Sequence, residues 1–180
     1  YGLVGRWGHP FYTVLDDHHR PSKVMRHRVG TPVAEDTLVY EETDPGFFLG
    51  IGKTESGRFV VIDAHDHADT SEVRLINAAD PGAAPRLLIP RETGVTHDVS
   101  DHGDRLLIRT NAADAVDFRI AETPMDAPDR DNWRDIVAHR PGCLIRSMVV
   151  FDGFLVRLER ERALPRIVIR SLVDGAEHEI

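Results

Sequence analysis

Four glycines set the frame of this chain. Gly8, Gly57, Gly103 and Gly153 are spaced 49, 46 and 50 residues apart, and each sits between two short apolar runs. The runs are "GLVGRWGHPFYTVL", "FFLGIGKTESGRFVVID", "VTHDVSDHGDRLLIRT" and "LIRSMVVFDGFLVRLE". A tight hairpin needs a residue at positive φ, and glycine adopts that without steric cost. Each hairpin is followed by a third apolar run: "KVMRHRV", "EVRLINA", "AVDFRIA" and "RIVIRSL". The first three units add a fourth: "TLVYEE", "PRLLIPR" and "WRDIVAH". The last unit is read as stopping at Ile180 before its fourth strand, which leaves the third strand around Arg166 to Leu172 as an open edge. Four strands in ~40–50 residues is the signature of a propeller blade. The expected fold is therefore all-β: about four consecutive antiparallel blades in an arc, the last incomplete. The units are 1–45, 46–94, 95–141 and 142–180. One helical turn is expected, around "APDRDNWRDI".

Composition narrows the class. The chain has 180 residues, a formal charge of −8 and one cysteine, Cys143. A nucleic-acid surface needs clustered Lys and Arg, so the charge argues against one. No apolar run approaches the ~20 residues of a membrane span. A single cysteine makes the reducing cytoplasm the expected compartment and leaves the periplasm open. The chain begins with Tyr inside an apolar pattern, so it is expected to be part of something longer.

Several clusters suggest chemistry. "DAHDHADT" places His65, Asp66, His67 and Asp69 within five residues. A structural zinc site normally takes four ligands from two separated pairs, and nothing elsewhere pairs with this one. It falls where a blade hairpin belongs, so it is read as a polar turn, with no metal expected at His65 or His67. "DDHH", Asp16 to His19, occupies the equivalent hairpin of the first unit and is read the same way. "GFFLGIGKT" misses the phosphate-loop pattern by one residue, since Phe47 stands where the motif requires glycine and Gly46 lies one position too far. The six serines, Ser22, Ser56, Ser71, Ser100, Ser147 and Ser171, lie outside any Gly-x-Ser-x-Gly elbow. Cys143 is read as a small buried hydrophobe. Trp7 and Trp133 are read as packing residues, and "RLERER" as a solvated strand or cross-strand pairs. No catalytic, cofactor-binding or metal-binding residue is assigned.

In order and content, "FYTVLDDHHRPSKVMRHRVGT", "DTLVYEETDPGFFLGIGKTESGRFVVI" and "TSEVRLI" resemble the propeller domain of the prolyl oligopeptidase family, in its oligopeptidase B (protease II) branch. "HGDRLLIRTN", "NWRDIVAHRP" and "RLERERALPRI" continue the likeness, which covers essentially the whole chain. The resemblance implies a serine peptidase whose seven-bladed propeller caps an α/β-hydrolase domain and restricts access to short peptides. The branch cleaves after Lys or Arg. The implied partners are the hydrolase domain, the remaining blades and short basic peptides, with no cofactor. The triad would lie in the hydrolase domain, so no catalytic residue carries over and this chain alone is expected to be inactive. Exposed ends would favour self-association. The alternative is a non-catalytic interaction module, since propellers serve many functions.

Overall fold

The computed structural model describes residues 3–6 and 8–180, and only the backbone of residues 3–6. Trp7 lies outside the described residues. Among the described residues, sixteen strands form four antiparallel sheets, each a meander in chain order. The first sheet holds β1 (Leu3–Arg6), β2 (His9–Leu15), β3 (Pro21–Arg26) and β4 (Thr37–Glu41). The second holds β5 (Phe48–Lys53), β6 (Phe59–His65), β7 (Ser71–Asn77) and β8 (Arg86–Ile89). The third holds β9 (His97–His102), β10 (Arg105–Thr110), β11 (Arg119–Pro124) and β12 (Arg134–Val137). The fourth holds β13 (Cys143–Val150), β14 (Phe154–Glu161), β15 (Leu164–Ser171) and β16 (Glu177–Glu179). The expected helical turn is a single 3-10 turn, Arg130–Asn132. No helix among the described residues is long and apolar enough to cross a membrane.

The chain divides into two compact units, residues 1–95 and 96–180, each of two sheets. In the first, Phe11 and Val24 of one sheet bury against Leu49, Val60, Ile62, Ala64 and Ile76 of the other. In the second, Leu107 and Ile120 bury against Ile145, Val150 and Leu155. Alternate residues of a strand point to one face, so β6 reads buried at Val60, Ile62 and Ala64 and more open between. At ~25 cal/mol per Å² of apolar surface, these shared faces supply the main stabilising term of each unit. The third and fourth strands of the first three sheets are joined with a register shift, at Val24/Met25, Val73/Arg74 and Ile120/Ala121. Such bulges bend and twist the outer strand, and their recurrence marks the sheets as repeats of one unit.

Two expectations need correction. The fourth sheet does have a fourth strand, although only three residues long: β16 pairs Glu179, His178 and Glu177 with Val168, Ile169 and Arg170. The last blade thus ends in a short strand rather than an open edge, because the turn after Ser171 returns the chain onto β15, Ser171 N–H donating to Ala176 O at 2.8 Å. Arg166 to Leu172 is therefore no bare edge. The glycine rule also holds for three hairpins of four. Gly8, Gly57 and Gly103 sit at φ +84°, +70° and +61°, whereas Gly153 lies outside the left-handed region. Its hairpin closes by Phe151 N–H donating to Phe154 O at 2.8 Å, with no left-handed residue at Gly153.

Candidate functional site

The two histidine-rich hairpins are built alike. Between β6 and β7, the Asp66 carboxylate accepts from the backbone N–H of Ala68 and Thr70, both at 2.8 Å, and Asp69 adopts φ +59°. Between β2 and β3, Asp16 accepts from His18 at 2.9 Å and Arg20 at 3.0 Å, and His19 adopts φ +59°. An Asp at the first position mimics a backbone turn by bonding forward to its own loop. These hydrogen bonds, above all those from the Thr70 and Arg20 backbone N–H, hold the carboxyls of Asp66 and Asp16 below their ordinary range. His65 Nδ1 lies 2.7 Å from Asp63, which raises its pKa. His67 packs on Phe48 with ring centres 4.6 Å apart. Asp66 is thus spent on the turn and His65 on Asp63, and no group of three or more His, Cys, Asp or Glu among the described residues is arranged to hold a metal. "GFFLGIGKT" likewise forms strand β5 rather than a loop opening a helix.

Outside the hairpins, charge is concentrated in two ionic networks. In the first unit the hub is a cation. Arg91 bonds Glu42, lies 3.3 Å from Glu72 and 3.9 Å from Asp44, and stacks 3.8 Å above the Phe47 ring. Glu42 is 4% exposed. Arg74 donates to Glu72 at 2.9 Å, and Tyr40 donates to it at 3.3 Å. Glu42 follows β4, Phe47 precedes β5 and Arg91 follows β8, so the network staples the first sheet to the second. Burial, then Glu72 and Glu42, push the Tyr40 hydroxyl up.

In the second unit the hub is an anion. Glu159 is 3% exposed and takes Arg157 at 2.6 Å, Arg166 at 2.7 Å and the Cys143 thiol at 3.2 Å. Arg157, itself 5% exposed, also meets Glu177 through two bonds of 2.9 Å. The network exists because β14 alternates: Leu155, Arg157 and Glu159 point inward, and β15 sets Arg166 directly opposite Glu159. "RLERER" therefore holds cross-strand pairs, but its inward residues are buried rather than solvated. Cys143 is buried as expected, yet its neighbours are polar: Arg140 donates to its sulfur at 2.8 Å. These side chains line a cleft of about 450 Å³ with Ile136 to Ala138. Burial pushes the Glu159 carboxyl up, but bonds from Arg157, Arg166 and Cys143 outweigh it and leave it below its ordinary range. A carboxylate so heavily bonded is a fixed counter-charge, poorly suited to proton transfer at neutral pH.

Ser22 and Ser100 are buried within strands, and Ser171 accepts turn N–H groups from Val173 and Asp174. Trp133 donates to Pro128 O at 2.9 Å and meets the edge of His97 at 5.9 Å, a packing role as expected. Burial, then Arg130, lowers the His97 pKa to about 4. Sequence reasoning missed both hubs. Glu42, Glu72 and Arg91 are far apart in the chain, and only period-2 alternation through "RLERE" hinted that Arg157 and Glu159 share a face.

Residues 6–179 match the family described as prolyl oligopeptidase, N-terminal beta-propeller domain. The chain belongs to that family. It is 41% identical to a dipeptidyl aminopeptidase BI of Pseudoxanthomonas mexicana over 92% of this chain and 23% of the relative. It is 33% identical to a protease 2 of Moraxella lacunata over 87% of this chain and 22% of the relative. The chain thus spans about a quarter of the length of the relatives it matches. Among solved structures, oligopeptidase B from Leishmania major superposes with a TM-score of 0.91 over 99% of this chain and 26% of that one, at 28% identity. Oligopeptidase B from Trypanosoma brucei, with covalently bound antipain in a closed form, gives 0.89 over 98% and 25%, at 30% identity. The expected family and fold, an all-β propeller segment, are both met.

Proposed function

We propose that this chain is the access-controlling propeller segment of a serine oligopeptidase that hydrolyses short peptides after Lys or Arg. The carrying observation is the match to the family's propeller domain over residues 6–179, together with the superposition on oligopeptidase B. In this reading the chain supplies shape and charge, not chemistry. Its buried ionic networks brace the blades, one by tying the first sheet to the second and the other by tying together the strands of the fourth, as a rigid cap requires. The nucleophile, base and oxyanion donors belong to a hydrolase domain elsewhere in the parent, and peptide hydrolysis has no route to acceleration without them. The acidic balance of the chain suits basic peptides, because a negative cavity concentrates cations.

The 41% identity to a dipeptidyl aminopeptidase favours a second specificity, release of dipeptides from free N-termini. One assay on the full-length parent separates the two. Cleavage of an N-blocked Arg reporter, stopped by a serine-directed inhibitor, supports the endopeptidase. Turnover confined to unblocked dipeptidyl reporters supports the aminopeptidase. No inhibitor-sensitive turnover of either leaves only the alternative of a non-catalytic module. The chain alone should turn over neither.

A further inference from the structure

The end of the first sheet carries a second cavity that the peptidase reading does not use. It measures about 480 Å³ and is lined by His9, Arg26, Arg28, Thr31, Glu35 and Thr37. Its origin is the strand ladder. Phe11 pairs with Arg26, and Arg26 with Thr37. Past the end of β3 the ladder continues, His27 N–H donating to Pro10 O at 2.9 Å and Val29 N–H to Gly8 O at 2.8 Å. Arg28 therefore stands opposite His9. Residues two apart share a face, so Arg26, Arg28, His9 and Thr37 all lie on one side of the sheet. The other side is occupied separately: Asp36 accepts from Tyr12 at 2.6 Å and meets His27 Nδ1 at 2.6 Å. The acid nearest the loop is thus tied up on the far face.

The charge on the cavity side is unbalanced. Among the described residues neither Arg26 nor Arg28 has a carboxylate partner, unlike the arginines at the two hubs. Arg26 is aimed by one bond from Nη1 to Pro81 O, which leaves its remaining N–H groups free. Arg28 is exposed. His9 Nδ1 is closed off without a hydrogen-bond partner. Glu35 is the single acid on the wall. In a chain of net charge −8, two unpaired guanidiniums facing one cavity are an uncommon concentration.

We propose that this cavity is an oxyanion site for a small molecule carrying phosphate or paired carboxylates. Guanidinium forks match both groups in a bidentate way. Two arginines at alternate strand positions, ~6–7 Å apart along the strand, can grip two oxygens of one group or two groups of one molecule. Thr37 adds a hydroxyl donor. The volume falls within the ~300–1,000 Å³ of small-molecule sites and exceeds what a bare ion fills. The inference stands independently of the peptidase reading.

The test is calorimetric titration of the full chain with inorganic phosphate and, separately, with citrate, at constant ionic strength. One-to-one binding of either supports the site, and the tighter probe identifies phosphate or carboxylate as the preferred group. Arg28→Ala should weaken that binding about tenfold, the worth of one charge-assisted contact. Arg28 is exposed, so its removal should leave the fold intact, checked by an unchanged melting curve. Arg86→Ala, a surface change elsewhere in the same unit, should alter affinity less than about twofold. Absence of binding by both probes overturns the proposal. So does binding that Arg28→Ala and Arg86→Ala weaken equally, since that is general electrostatics.

Discussion

The two units carry buried ionic networks of opposite polarity, the first joining its two sheets and the second lying across the strands of one sheet. In the first, one guanidinium, Arg91, gathers Glu42, Glu72 and Asp44. In the second, one carboxylate, Glu159, gathers Arg157, Arg166 and, at 3.7 Å, Arg140. The difference has consequences. A guanidinium keeps its charge at every accessible pH, whereas a carboxylate can be neutralised. The cationic hub spreads its bonds over three acids, so it survives the loss of one. The anionic hub is the shared centre of its network: without it, Arg157 keeps Glu177 and Arg166 keeps Glu161 and Glu179, but the buried charge between the two guanidiniums is gone.

The largest expected effect is therefore Glu159→Gln. Breaking a buried charge network by removing one partner costs about 3–5 kcal/mol. Glu42→Gln should cost less, about 1–3 kcal/mol, the range for a buried hydrogen-bonding group left poorly satisfied, because Arg91 retains Glu72 and Asp44. Urea denaturation of both variants measures the pair. Equal losses would remove the distinction between the hubs.

Acid sharpens the same contrast. Glu159 is held below its ordinary value of 4.5 as described, and Glu177 is held below it first by Arg157, against burial, with Arg170 assisting. A carboxyl with a depressed folded pKa contributes stability that is fully present above its unfolded value. That stability is lost as pH falls through the folded value. The second unit should accordingly lose stability below about pH 4.5, and Glu159→Gln should flatten that part of the profile. A profile whose slope below pH 4.5 is the same in wild type and variant would show that the hub is not the acid-sensitive element.

The hairpins of the second unit provide a third comparison. Gly103 at φ +61° begins the two-residue Gly103–Asp104 loop, where glycine is the residue that fits. An added Cβ meets no atom within 4 Å at either Gly103 or Gly153. Gly103→Ala should thus cost about 1 kcal/mol through backbone strain alone. Gly153→Ala should be neutral or stabilising by about 0.4–1 kcal/mol through the unfolded chain. Matching losses at both positions would mean that space rather than φ decides.

These contrasts show what the sequence displayed and what it hid. Strand order and hairpin positions were legible because glycine spacing and period-2 alternation are local signals. The polar hairpins were legible because Asp66 and Asp16 bond only within their own loops. β16 was hidden, since "EHE" has no apolar pattern and forms only because β15 offers it an edge. The hubs were hidden because Arg91 meets Glu42 across 49 residues of chain. "RLERER" looked like a surface for the same reason: charge is the mark of exposure unless a partner, here Arg166 on the next strand, is brought opposite. The cationic cavity was hidden because Arg26, Arg28, His9 and Thr37 come together only through register.

The smallest effect concerns the turn that presents the anionic hub. Arg162 and Ala163 connect β14 to β15 with both residues at positive φ, +52° and +66°. Two successive left-handed residues define the type I′ hairpin, which favours Asn-Gly. Here neither position holds glycine or asparagine. A non-glycine residue in this region carries about 1–2 kcal/mol of steric cost. Glycine would relieve it at Ala163 but adds about 0.4–1 kcal/mol of unfolded-chain entropy. Relief exceeds the entropy term, so Ala163→Gly should stabilise the second unit by about 0.5–1 kcal/mol. The turn fixes the register that sets Arg166 opposite Glu159, so the gain should persist in the Glu159→Gln background if turn and hub act independently. Thermal unfolding of the single and double variants measures both. A gain that vanishes in the double variant would show that the hub, not the turn, holds β14 and β15 in register.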